Sequence, residues 1–232
     1  MSVESRELSP ALGVDVRGLD PRRSRALRHG GLAALAALWG CATAGGFELR
    51  EDVAFDGPEG TGLLVLAPRP DAVELLDARG DRLGSYALEH EVLRIRDRHG
   101  NELGFVRPAA AAPGLELRAL PDGALRFRVA REPDGNLRLE DGSGRALAKL
   151  TRRDGGYQIE GPNAEPLGSV EVRPGEISLR GTDGKTLLST RHAIPAEGVA
   201  CFAFDPVPLE LQGACALAVL HWRAAAGSGD GL

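Results

Sequence analysis

Four side chains of the kinds that hold zinc fall within the last 41 residues: His192, Cys201, Cys215 and His221. Imidazole nitrogen and thiolate sulfur are common ligands for that metal. Their separations lack the short Cys-x-x-Cys or His-x-x-x-His pairs that close a site, so no metal centre is expected. Of the other histidines, His29 and His90 stand alone and His99 sits in a polar turn sequence. No Gly-x-Ser-x-Gly, His-Glu-x-x-His or phosphate-binding loop occurs. No local spacing of Ser, His and Asp points to a nucleophile with its base. The expectation is a protein without catalytic residues and without a cofactor.

Cys41 has a more informative setting. Arg22, Arg23, Arg25 and Arg28 precede the uncharged run Leu32–Trp39, which Gly40 and Cys41 close before the small residues Ala42 to Gly46. A positive segment, a short apolar segment and small residues at its end make a secretory signal peptide. A retained membrane span is the alternative, since Gly30 to Phe47 is uncharged over 18 residues, but its strongly apolar part falls short of the roughly 20 residues that cross a bilayer. The ending Leu38-Trp39-Gly40-Cys41 resembles the lipobox of bacterial lipoproteins. The resemblance implies cleavage before Cys41 and a lipid on its sulfur. With Ala42 rather than Asp next, it also implies the outer membrane of a Gram-negative envelope. Two readings of Cys201 and Cys215 stay open. Export and the even count left after Cys41 allow a disulfide between them. Their neighbours, Ala200 and Phe202, Ala214 and Ala216, favour two buried thiols.

Charge narrows the partners. The chain carries −5, and from Cys41 onward 22 basic residues face 29 acidic ones. No basic run survives there, so nucleic acid is not an expected partner.

The elements that would carry any site come from repetition. Segments beginning at Val73, Leu93, Leu137, Tyr157 and Ile177 share apolar first and third positions, Asp or Gly at the fifth and Leu at the eleventh. Four have Gly at the eighth position, where the segment from Tyr157 has Ala164. Alternation of this kind puts one face of a strand in a core and the other in water. The D-x-x-G turn supplies a short polar loop with a glycine free to adopt positive φ. A sixth hairpin turns at Pro121-Asp122-Gly123. Six hairpins make about twelve strands, too many for an open flat sheet. The turn aspartates are read as shaping their own loops rather than binding calcium. Leu209–Arg223 then breaks the alternation, with apolar residues on all sides of a helix, which must therefore be buried.

From about Gly62 to Arg223, the D-x-x-G-x-x-L-G hairpins, clearest in Asp97–Gly104, and the ending ALAVLHW resemble the tubby C-terminal-like superfamily. That superfamily includes the LURP-one-related proteins and phospholipid scramblases. The resemblance implies a closed antiparallel barrel of about twelve strands around a hydrophobic C-terminal helix. It carries over no site residue, because the chain lacks a cysteine-rich palmitoylation run and a lysine-rich phosphoinositide pocket. The expected organisation is a signal peptide with N-terminal extension over 1–40, and a lipidated cysteine and tether over 41–61. A barrel follows over 62–223 with its central helix at 208–223, then a disordered tail over 224–232. The expected function is an exported, lipid-anchored, non-catalytic binding or structural module at the periplasmic face of the outer membrane. Its partners would be the membrane and a lipid or envelope protein. The alternative is a lipid-handling protein.

Overall fold

A computed structural model describes residues 49–110, 113–204 and 207–227, with side chains described through Trp222. Fourteen strands form one closed antiparallel barrel in which each strand pairs with its neighbour in sequence. The first half comprises β1 (Val53–Asp56), β2 (Gly62–Pro68), β3 (Val73–Asp77), β4 (Arg82–Glu89), β5 (Val92–Asp97), β6 (Glu102–Pro108) and β7 (Gly114–Ala119). The second half comprises β8 (Leu125–Arg131), β9 (Leu137–Asp141), β10 (Ala146–Arg153), β11 (Gly156–Glu160), β12 (Pro166–Arg173), β13 (Glu176–Gly181) and β14 (Thr186–Thr190). Pairing of β1 with β14, at Asp56 and Ser189, closes the ring. Closure removes the exposed edges that a long meander would leave open to aggregation.

The mainly β, closed-barrel expectation holds, with two strands more than the expected number. The additional hairpin, β1–β2, lies partly in the segment expected to be tether. It obeys the repeat frame all the same: Val53 and Phe55 point into the core, and Gly57 and Gly60 take the fifth and eighth positions. Its turn has the bonding of the others. Gly57 N–H donates to the Thr61 carbonyl at 2.7 Å and Gly60 N–H to Gly57 at 3.0 Å, as Asp77 does to Asp81 and Gly80 to Asp77. The unit begins one 20-residue period before Val73, and Gly57 stands where the Tyr157 and Ile177 units also have glycine, so its spacing is legible in the sequence.

The aspartates act within their turns. In the turn after β5, Asp97 Oδ1 accepts the backbone N–H of His99 at 2.8 Å and of Asn101 at 2.9 Å. Asp77 and Asp141 accept the same pair of turn amides. Gly100 follows at φ 87°, with open space where a Cβ would sit. Asp97→Asn should therefore cost no more than about 0.5 kcal/mol, since Asn makes the same local bonds. Gly100→Val should cost about 1–3 kcal/mol from backbone strain alone. Thermal melts of both variants, with and without millimolar calcium, check this. A melting temperature that rises with calcium in the wild type and not in Asp97→Asn would make the turn a metal site.

Two helices follow β14: α1 (Ala196–Ala200), continued by a 3-10 turn at Cys201–Ala203, and α2 (Leu209–Gly227). The long helix was expected over 208–223; it ends four residues later, inside the segment expected to be tail. The short α1 was not expected. Pro195, Gly198 and the brevity of the segment leave no helical period to detect. α1 packs on β11–β13 and α2 on β4–β7, so the helices fill the interior between opposite walls. Ala214 to Ala218 are buried on every side of α2. Gln212, also buried, donates to the carbonyls of Phe204 at 3.0 Å and Val207 at 2.8 Å. These bonds satisfy two backbone groups where the chain turns between helices. Tyr86 Oη ties the wall to the start of α2 by donating to the Glu210 carbonyl at 2.8 Å. Among the described residues no helix is long and apolar enough to cross a membrane.

Candidate functional site

The residues singled out for chemistry do not converge. Cys41 lies outside the described residues. His192 lies beside Glu51, 3.7 Å from its carboxylate, and His221 packs edge-on against Trp222. Among the described residues, no group of three His, Cys, Asp or Glu is placed to hold a metal ion. Cys201 and Cys215 are free thiols in the core. Burial pushes the Cys201 thiol well above its ordinary range and the Cys215 thiol up to about 12. Cys201 Sγ donates to the Glu197 carbonyl at 3.3 Å, and Tyr157 Oη donates to the buried Glu197 carboxylate at 2.8 Å. Burial therefore disfavours the thiolate form of both sulfurs.

The barrel interior is occupied by Tyr86, Phe55, Phe204 and the aliphatic first- and third-position residues together with both helices. What the protein offers a partner is its outer wall. There the outward positions form ion pairs across strands. Glu74 lies between Arg69 and Arg82, Glu171 between Arg173 and Arg180, and Glu132 and Glu140 beside Arg138 and Lys149.

The densest group centres on β7. Glu116 stands directly opposite Arg107 on β6 and Arg128 on β8. Its Oε2 accepts Arg107 Nε at 3.2 Å and Nη2 at 3.1 Å, and Arg118 Nε at 3.0 Å. Arg128 Nη2 lies 3.8 Å from the other oxygen. The Glu116 side chain is only 9% exposed, whereas Arg107, Arg118 and Arg128 are 41%, 26% and 28% exposed. Partial burial opposes ionisation of Glu116, but hydrogen bonds from Arg118 and Arg107 prevail and hold its carboxyl below the ordinary range. A groove of about 510 Å³ beside Arg128 is lined by Arg131 and Arg138, by the acids Glu132, Asp134 and Glu140, and by Ala130 and Pro133. These residues escaped the sequence reading. Their one local sign was charge at alternate positions, Glu116 with Arg118 and Arg126 with Arg128, which marks a solvated strand face and nothing more.

A second outer feature is apolar. The eleventh-position leucines Leu83, Leu103 and Leu147, in units with Asp at the fifth position, are half-buried against the core. In the three units with Gly at the fifth, Leu63, Leu167 and Leu187 are 43%, 44% and 47% exposed. Those units are consecutive around the β14–β1 closure.

No protein-family model matches the chain, and no curated protein sequence matches it. Solved structures that do match include the X-ray structure of a protein from Arabidopsis thaliana, 14% identical, with a TM-score of 0.34. That match covers 60% of this chain and 76% of the other.

Proposed function

We propose that this protein is an exported lipoprotein, anchored by a lipid on Cys41, whose single barrel of tubby C-terminal-like type is a non-catalytic binding module at the cell envelope. The observation that carries the binding role is the combination of a filled interior with a charged outer wall. With Tyr86, Phe55 and α2 occupying the core, a partner is met by side chains on the surface and not enclosed. Burial of Cys201 and Cys215 disfavours the thiolate that a cysteine nucleophile needs, which supports a non-catalytic role. The anchor is supported by the arginine cluster, the apolar run and the Leu38–Cys41 ending. The placement at the periplasmic face of the outer membrane follows from Ala42 through the same lipoprotein resemblance.

Metabolic labelling with a fatty-acid analogue tests the anchor. The wild-type chain should take up label and Cys41→Ser should not. Label on the Ser variant, or a mature N-terminus at another residue, would overturn the anchoring. A lipid-handling role is the second reading, favoured by the exposed leucines Leu63, Leu167 and Leu187 at one sector of the barrel. Stoichiometric lipid copurifying with the Cys41→Ser protein, and lost when the three leucines become Ser, would favour that reading over the module.

A further inference from the structure

The charge of this protein is not evenly spread around the barrel. Val92–Arg153, the span of β5–β10, holds 13 of the 22 basic residues found from Cys41 onward but only 8 of the 29 acidic ones. This span is therefore +5, and the rest of that part of the chain is −12. Six neighbouring strands of a closed ring make one side of it, so an acidic protein presents one basic face.

The Glu116 cluster lies on that face and is unlike the other ion-pair groups. Glu74 and Glu171 each face two arginines, whereas Glu116 faces three. The carboxylate lies beneath and the guanidiniums above it, in contact with solvent. Each guanidinium has five N–H donors in a planar fork. Arg107 commits Nε and one Nη to Glu116, and Arg128 approaches with one Nη. The carboxylate thus fixes the arginines in place while leaving net positive charge and outward donors, which lowers the entropy lost on meeting an oxyanion.

We infer that the outer wall of β5–β10, centred on Arg107, Arg118 and Arg128, is a docking surface for an acidic peptide segment of a partner protein. This rests on the reading of the barrel as a binding module. A peptide fits better than a lipid surface, because stable interfacial binding adds apolar burial to charge attraction. The exposed large apolar residues Leu63, Leu167, Val172, Leu187 and Leu209 all lie outside β5–β10. The groove beside Arg128 is lined by as many acids (Glu132, Asp134, Glu140) as arginines (Arg128, Arg131, Arg138), so the surface is centred on the Arg107, Arg118 and Arg128 group and not on the groove.

The test uses the full chain extracted in detergent and a fluorescent oligoglutamate peptide. Binding is expected at low salt and should weaken at least about tenfold near 0.3 M salt, where the Debye length is well below the roughly 10 Å of 0.1 M salt. The double variant Arg107→Ala/Arg128→Ala should weaken binding by about tenfold, from roughly three- to fivefold per exposed charge contact. Arg118 is left intact because it also donates to the Gly123 carbonyl of its own turn. Arg173→Ala/Arg180→Ala, on the opposite side, should leave binding within about twofold. Melting temperatures verify that both variants fold.

Absence of binding at low salt, or equal loss in both double variants, would overturn the inference. So would Arg107- and Arg128-dependent binding to anionic phosphatidylglycerol vesicles without binding to oligoglutamate, since the occupant would then be a membrane. Self-association lost in the same variant, again without peptide binding, would make the occupant a second copy. The Cys41 label separates this inference from the anchored-module reading. Label with no peptide binding removes the partner alone; arginine-dependent binding without label removes the anchor alone.

Discussion

Leu217→Asp should abolish the cooperative thermal transition of this protein. Leu217 is fully buried at the centre of α2, with Ala214, Cys215, Ala216 and Ala218 buried around it. An aspartate there would lie in an apolar core facing no cation, and a buried unpaired charge costs several kcal/mol even after partial neutralisation. A domain of this kind has about 5–15 kcal/mol of total stability. Loss of the leucine's own packing adds to the deficit. Leu217→Ala provides the measure of that second part: it should cost about 2–5 kcal/mol and lower the melting temperature by about 5–20 °C, leaving a folded barrel. Differential scanning calorimetry of the two variants checks both values. A wild-type melting temperature in Leu217→Asp would mean that α2 is not part of the core.

The second large effect should come from one hydrogen atom's worth of space at Gly213. A Cβ at that position would collide with Tyr86 Oη and lie 3.2 Å from its Cζ and 3.4 Å from Leu75 Cδ2. Tyr86 cannot swing aside cheaply, because it is fully buried and its hydroxyl is bonded to the Glu210 carbonyl one helical turn earlier. Alanine normally stabilises a helix by about 1 kcal/mol over glycine. Here the clash should reverse that sign, with overpacking costing about 1–3 kcal/mol. Gly213→Val, with two further carbons in the same gap, should cost more than the alanine variant.

Tyr86→Phe supplies the decisive comparison. Alone it should cost about 0.5–1.5 kcal/mol for the lost hydrogen bond. Combined with Gly213→Ala, it removes the atom in the way, and the alanine should become neutral or stabilising. A double-mutant cycle by urea denaturation measures this coupling, expected at about 1–3 kcal/mol. Strict additivity would show that the approach of α2 to β4 is not what requires glycine.

Much of this protein is legible in short stretches of its sequence. The pair Leu93 and Ile95, the turn Asp97–Gly100 and the leucine at 103 define a hairpin without reference to any other part of the chain. Side-chain alternation and turn chemistry act over a few residues. The burial of α2 is equally local, since a helix apolar on all sides has no face for water. Both determine that a curled sheet and a buried helix must coexist. The hairpin β1–β2 shows that spacing carries more than the D-x-x-G letters: Val53, Phe55, Gly57, Gly60 and Leu63 keep the frame one period before Val73.

Other features arise only when distant segments meet. Closure through Asp56 and Ser189 joins strands 133 positions apart, and nothing near either residue announces it. Arg107, Glu116 and Arg128 are unremarkable charges until antiparallel register sets them side by side. The basic face likewise requires the ring, because six strands become one side only once the sheet closes. The need for glycine at 213 depends on a tyrosine hydroxyl reached across 127 positions. Local periodicity decides which face of a strand is wet. Register and closure decide which wet residues become neighbours, and that is a property of the whole fold.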